Sequence, residues 1–357
     1  MLVNLARGCA AQGIAVDLVV SDANAPFLNE LESTIRVFAL GDISYRKTTA
    51  GLTAYLKKEH PAALLTGKPS DDKAALKATQ ACDNKVRCYL GAGTAISRQI
   101  DERRFNPLRK RIKLWKKRRY YRQADGIIAT SNWVARDIAR ISGLTDKNIT
   151  VIGNPVIQPE IETLARQAVT HQAFAAGAPP VILGAGRLSE EKDFITLLHA
   201  FAIVRQQRPA SLVILGEGPL RTQLQDYAHK LGINDNFYLP GFVTNPYAYM
   251  SKASVFALSS LWEGFGNVIV EAMACGTAVV ATNCPGGPCD ILQNGKLGHL
   301  VPVGNVEAMA QAIIDSLEHP LEPQLLVAGI EAFTIHNSAK KYIATLKLTP
   351  HKKPPHS

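Results

Sequence analysis

Apolar residues in this chain recur in two rhythms that alternate along almost its whole length. Short continuous apolar runs trade places with longer stretches whose apolar positions fall three and four apart. That alternation predicts a parallel α/β architecture. Leu2, Leu5, Ala6, Cys9 and Ala10 make a helical stripe that Gly13 ends, and 14–20 then reads as a strand. Further short strands are expected at 62–66, 86–90, 126–130 and 149–152. A helix is expected over 131–141, with Ser131 as its N-cap. The stretch 173–180, Ala-Phe-Ala-Ala-Gly-Ala-Pro-Pro, has linker composition. Beyond it the rhythm restarts, with strands at 181–184, 210–215, 237–239, 255–258 and 278–281. Helices are expected there at 193–207, 220–231, 267–275, 306–317 and 331–346. His199, inside an apolar helix, reads as a packing residue.

The restart predicts two Rossmann-like domains, 1–175 and 176–325. A helix over 326–347 is expected to cross back to the first, followed by a disordered tail, 348–357. A doubly wound domain opens with a strand, a glycine-rich turn and a helix. This chain opens inside the helix, so the first strand of the N-terminal domain is missing from the pattern. The expectation is that an upstream in-frame extension encodes a strand and a Gly-Gly loop.

The 357 residues, 46% of them hydrophobic, suffice for two cores. No apolar run reaches the ~18 residues of a membrane span, and no leader pattern is read at the N-terminus. Cys9, Cys82, Cys88, Cys275, Cys284 and Cys289 form no CxxC pair and no zinc-finger spacing, so they read as reduced thiols of a cytoplasmic protein. Charge is concentrated in one place. Twelve Lys or Arg face only Asp101 and Glu102 between Arg98 and Arg122, an excess equal to the net charge of the whole chain. Leu108, Ile112 and Trp115 share one helical face of that segment, with Tyr120 and Tyr121 beyond. Two readings stay open: an anionic membrane surface as partner, placing the protein on the inner face of the cytoplasmic membrane, or a solvated helix with one buried stripe. No recognition motif accompanies the patch, so nucleic acid is not expected.

Candidate chemistry gathers after strands of the second half. Gly186-Arg187-Leu188 and Lys192 follow the first of them, and Gly216-Glu217-Gly218 the second. Glu263 to Glu271, Glu-Gly-Phe-Gly-Asn-Val-Ile-Val-Glu, places a carboxylate before a glycine bend, then a helix start, then a second carboxylate. A helix start suits a diphosphate, and carboxylates accept from ribose or sugar hydroxyls. Arg187 offers a planar fork and Lys192 a mobile point charge.

The order Gly-Arg-Leu…Lys, Gly-Glu-Gly-Pro, Leu-Pro-Gly-Phe and Glu-Gly-Phe-Gly-Asn-(x)4-Glu-Ala-Met-Ala-Cys-Gly resembles the retaining glycosyltransferases of family 4, with the GT-B fold. The resemblance covers about 124–317. It implies two α/β domains facing across a cleft, and a nucleotide-sugar donor, UDP-linked rather than GDP-linked. Arg187 and Lys192 would neutralise the diphosphate. Glu263 would face the donor sugar near the reacting carbon. Gly186, Gly216 and Glu217 would border the nucleotide, with Phe242 and Val243 lining the base pocket. Phe265, Gly266, Asn267 and Val268 would present backbone amides, Glu271 would hold the ribose, and Asn154 would support the cleft. No metal or other cofactor is expected. The acceptor implied is a lipid-linked or cell-surface glycan. Relatives carry a histidine in the first domain, but 89–95 has none; its hydroxyl Thr94, like nearby Ser97, is given no role. The alternatives are a nucleotide-sugar epimerase of the same fold and a nucleotide-sugar-binding protein without turnover.

Overall fold

The computed structural model of the chain describes residues 1–22, 28, 31–41, 45–82, 86–94, 97, 106–145 and 148–350. Part of the basic segment, 98–105, and most of the expected tail, 351–357, lie outside the described residues. The chain forms two compact units, one of Met1–Val156 with Phe333–Ser357, the other of Ile157–Ala332.

The first unit runs α1 (Leu2–Ala10), β1 (Asp17–Val20), β2 (Arg36–Ala39), α2 (Tyr45–Glu59), β3 (Ala63–Thr66), α3 (Asp72–Gln80), β4 (Arg87–Ala92), α4 (Pro107–Tyr121), β5 (Gly126–Ala129), α5 (Asn132–Ser142) and β6 (Ile149–Val151). Ser131 caps α5 as expected, its hydroxyl accepting from the Val134 amide at 3.2 Å. A helix at Ile335–Thr345 returns to this unit. The strands form two parallel sheets, β1-β2 and β3-β4-β5-β6. One apolar cluster joins Leu56, Leu76, Tyr121 and Ile138 from α2 to α5 with Val19, Phe38, Leu64 and Leu90. A second joins Leu5 and Cys9 of α1 and Tyr342 of the returning helix with Val16, Ala63, Leu65 and Tyr89. Both sheets therefore lie between the same two layers of helices.

The second unit runs α6 (Ile161–Ala165), β7 (Val181–Ala185), α7 (Phe194–Gln207), β8 (Ser211–Leu215), α8 (Arg221–Lys230), β9 (Phe237–Gly241), α9 (Pro246–Met250), β10 (Val255–Leu258), α10 (Asn267–Ala274), β11 (Ala278–Thr282), α11 (Pro288–Ile291), β12 (His299–Val301), α12 (Val306–Glu318) and α13 (Pro323–Gly329). Its parallel sheet has the order β12-β11-β10-β7-β8-β9. Every residue of β7, β8, β10 and β11 is buried, which is why these strands read as unbroken apolar runs.

Two expectations are corrected. The units divide at 156/157, not near 175, because 157–175 packs onto α9. Asn245 and Ser251 donate to the carbonyls of Leu164 and Ala165 at 2.9 and 2.7 Å, and Phe174 meets Tyr249 edge-on at 5.4 Å. The single helix expected over 331–346 is broken. Thr334 accepts from the Asn337 amide at 3.2 Å and caps a new helix at Ile335.

Candidate active site

Strand order in the second unit reverses between β7 and β10, so the loops after two sequence-distant strands emerge side by side. Ligands of open α/β sheets bind at such a reversal, beyond the carboxyl ends of the strands. After β7 the chain turns through Glu190–Lys192 into α7. Asp193, at φ 45°, caps that helix and takes the Thr196 hydroxyl at 2.6 Å. After β10 come Ser259 and Ser260, both buried. Ser259 donates to the Lys192 carbonyl at 2.8 Å, and the Leu261 amide to that of Glu191 at 2.8 Å.

These bonds bring Lys192 Nζ to 2.5 Å from Glu263 Oε1, which also accepts from the Ser260 hydroxyl at 2.7 Å. The lysine and glutamate side chains are 18% and 11% exposed, so the pair is shielded yet reachable. Its field is screened less than that of a surface pair. The Glu263 amide donates to the Pro285 carbonyl at 2.8 Å. Gly286 and Gly287 are required at this contact, because a Cβ on either would strike the carbonyl of Glu263 or Phe265.

Beyond Glu263, Phe265 is buried and Gly266, at φ 95°, starts α10 without a capping side chain. The positive end of the α10 dipole, at Asn267 and Val268, begins four residues after Glu263 in the chain. Glu271, one turn into α10, is partly buried, and burial pushes its carboxyl up to about 7. Gly186 and exposed Arg187 follow β7. The next loops are tied in series, Leu188 amide to Glu217 carbonyl at 2.9 Å and Gly216 amide to Gly241 carbonyl at 2.8 Å. Glu217 pairs with Arg221 at 2.9 Å and is held at the rim. Phe242, after β9, is 78% exposed, and Val243 is half-buried. All these expected site residues therefore gather at one edge of the second unit. Asn154 belongs to the first unit, where it is buried in the loop after β6. Ser259, Ser260 and Arg221 were given no role from sequence. Two hydroxyls directly after an apolar strand are the signal that pointed to the serines.

In the first unit, Asn106 caps the basic helix α4, accepting from the Arg109 amide at 2.8 Å. Lys117 pairs with Asp72 at 2.9 Å, and Tyr121 is buried. Leu108, Ile112 and Trp115 are 68%, 44% and 59% exposed, so this stripe is not the one the domain buries. Among the described residues no helix is long and apolar enough to cross a membrane.

The sequence pattern of the glycosyl transferases group 1 matches residues 167–329, and that of glycosyltransferase family 4 matches 1–157. The chain is 31% identical over 235 residues to the N-acetylgalactosamine-N,N'-diacetylbacillosaminyl-diphospho-undecaprenol 4-alpha-N-acetylgalactosaminyltransferase of Campylobacter jejuni, spanning 66% of this chain and 61% of that relative. It is 32% identical over 195 residues to the lipopolysaccharide core biosynthesis glycosyltransferase LpsE of Rhizobium meliloti, spanning 54% of each. Its fold matches Anabaena Alr3699/HepE, solved in complex with UDP and glucose, with TM-score 0.73 and 19% identity over 97% of this chain and 94% of that one. With an ordered set of glycosyltransferase motifs, matching patterns over both halves and that fold, the chain belongs to the GT-B glycosyltransferases of group 1.

Proposed function

We propose that the protein is a retaining, metal-independent glycosyltransferase that moves a sugar from a UDP-sugar to a lipid-linked or cell-surface glycan. The observation that carries this reading is the Lys192–Glu263 pair at the β7/β10 reversal, backed by the start of α10. Loss of a nucleoside diphosphate puts negative charge on the leaving oxygens and positive charge on the anomeric carbon. Lys192, Arg187 and the α10 amides supply preorganised positive potential for the first. Glu263 supplies an acceptor for the sugar hydroxyls beside the second. Glu271 suits the ribose and exposed Phe242 the base.

The Campylobacter relative is named for an undecaprenol-linked acceptor and the Rhizobium relative for lipopolysaccharide core biosynthesis, which supports the acceptor class. The UDP in the Anabaena structure supports the donor class. The outward Leu108, Ile112 and Trp115 among the basic residues of α4 support a peripheral site on an anionic membrane.

The test is a panel of nucleotide-sugars incubated with the protein and membrane extract, with EDTA present, reading nucleotide release. Release that needs the extract supports transfer. Epimerisation of the donor without an acceptor, or binding without release, refutes it.

A further inference from the structure

Glu263 is held through one of its two oxygens. Oε1 accepts from Lys192 Nζ at 2.5 Å and from the Ser260 hydroxyl at 2.7 Å, and among the described residues no side chain donates to Oε2. A carboxylate oxygen takes about two hydrogen bonds, so Oε1 is filled and Oε2 is the oxygen left for a ligand. Where Oε2 faces is then set by where Ser260 and Lys192 stand. Both are held through their backbone carbonyls. The Ser259 hydroxyl donates to the Lys192 carbonyl at 2.8 Å. The Thr282 hydroxyl, at the end of β11, donates to the Ser260 carbonyl at 2.6 Å. β10 lies between β7 and β11 in the sheet, so the chain leaving it is gripped from both sides. Leu258 stands in register with Ala281, which brings Thr282 level with Ser259.

Packing alone asks for an aliphatic residue at Thr282. The rest of β11 is Ala278, Val279, Val280 and Ala281, and Thr282 is as buried as they are, at 0% exposure. Valine has the same branched shape and the same liking for a strand. A buried hydroxyl destabilises unless it is hydrogen-bonded, so its presence points to the bond it makes. Among the described residues the Ser260 carbonyl has no other donor. Without Thr282 it would be a buried carbonyl lacking a partner, and the backbone at Ser260 would shift toward another donor. The Ser260 hydroxyl would move with it, and Glu263 would lose the bond that fixes its rotation.

We propose that Thr282 is a positioning residue of the donor site. Its hydroxyl holds the Ser260 carbonyl, Ser260 holds Glu263 Oε1, and Oε2 is thereby presented to a hydroxyl of the donor sugar. Ser259 holds Lys192 in the same way from the other side. The proposal rests on the glycosyl-transfer reading of the Lys192–Glu263 pair. Thr282 acts only through Ser260, so the effect of losing its hydroxyl is capped by the effect of losing that of Ser260.

The test is acceptor-dependent nucleotide release by the wild type, Thr282→Val, Thr282→Ala, Thr282→Ser, Ser260→Ala and the Thr282→Val/Ser260→Ala double variant. Thr282→Val keeps the shape and loses the hydroxyl; kcat should fall about tenfold with donor KM within about twofold. Thr282→Ala, which lacks the hydroxyl in a smaller side chain, should fall with it. Thr282→Ser keeps the hydroxyl and loses a methyl, and should stay within about threefold of the wild type. The double variant should match Ser260→Ala within about twofold, because the two residues act in series. A packing role predicts the reverse order, with Thr282→Val near the wild type and Thr282→Ser impaired, and that order overturns the proposal. Losses that multiply in the double variant overturn it too. A wild type that releases no nucleotide, or full activity in Lys192→Ala and Glu263→Ala, refutes the transfer reading itself and removes the proposal with it.

Discussion

Lys117 donates to Asp72 Oδ2 at 2.9 Å, and this contact sets which side of the basic helix α4 faces water. Asp72 is 2% exposed, takes the Thr66 hydroxyl at 2.9 Å and sits at the start of α3; Lys117 also reaches the Pro69 carbonyl at 3.1 Å. With Lys117 turned inward, Leu108, Ile112 and Trp115 fall on the outer face. Burial pushes the Asp72 carboxyl up, against the pull of Lys117.

Asp72→Ala strands the Lys117 ammonium in a mostly buried place and removes the Thr66 acceptor. Breaking a buried pair costs about 3–5 kcal/mol, and the 18% exposure of Lys117 puts this case at the low end. Urea denaturation, with unchanged far-UV circular dichroism before the transition, is the check.

Replacing Leu108, Ile112 and Trp115 together with serine is expected to leave the melting temperature within about 1 °C, since exposed substitutions cost little. Co-sedimentation with anionic vesicles should fall about tenfold or more. Raising salt should weaken the wild type as well, since each basic residue near such a surface contributes about 1 kcal/mol. Equal binding by both forms would remove the membrane reading of α4.

Lys192→Ala and Glu263→Ala are expected to abolish turnover while the fold survives, as read by nucleotide release and circular dichroism. Ser260→Ala removes one hydrogen bond to Glu263, about 1 kcal/mol or slightly more, so kcat should fall about tenfold with little change in donor KM. A larger loss in KM than in kcat would mean that Ser260 serves ground-state binding.

Glu271 carries a pH signature. Its value of about 7 in the folded protein lies above the ordinary 4.5, so the folded state holds this proton more tightly than the unfolded chain. Its stabilising contribution is complete below about pH 4.5 and is lost as pH rises through about 7. Glu271→Gln should flatten the fall of melting temperature across that window. An unchanged slope would place the proton elsewhere.

Gly216→Ala puts a Cβ against the Gly186 carbonyl at φ 134°, and about 1–3 kcal/mol of stability should be lost. Because the loops after β7, β8 and β9 are tied in series, donor affinity should weaken with it.

The second unit was legible because its strands are buried on both faces and its motifs stand at their ends. Val255–Leu258 falls where the apolar run placed it, and Glu263 and Lys192 were both named from their motifs. Their contact was not legible, since 71 residues separate them and only the strand order joins them. The orientation of α4 was equally hidden. The helix carries apolar residues on two sides, and periodicity does not say which side meets Asp72. Asn154 was assigned by resemblance alone, and no local pattern showed the unit to which it belongs. β2 went unread because it is a mostly exposed edge strand with Arg36 at its start, so its apolar signal is weak.

The returning helix Ile335–Thr345 has a consequence for synthesis. Ser338 donates to the Gly153 carbonyl at 3.1 Å and Gln12 to that of His336 at 3.0 Å, while Gly8 lets α1 approach Ile335 and Ala339 closely. One face of the first unit is therefore covered by residues that leave the ribosome after the whole second unit. Domains usually fold in the order they emerge. Here the unit translated second is contiguous and closes on itself, while the one translated first waits with α1 and one side of its sheet bare.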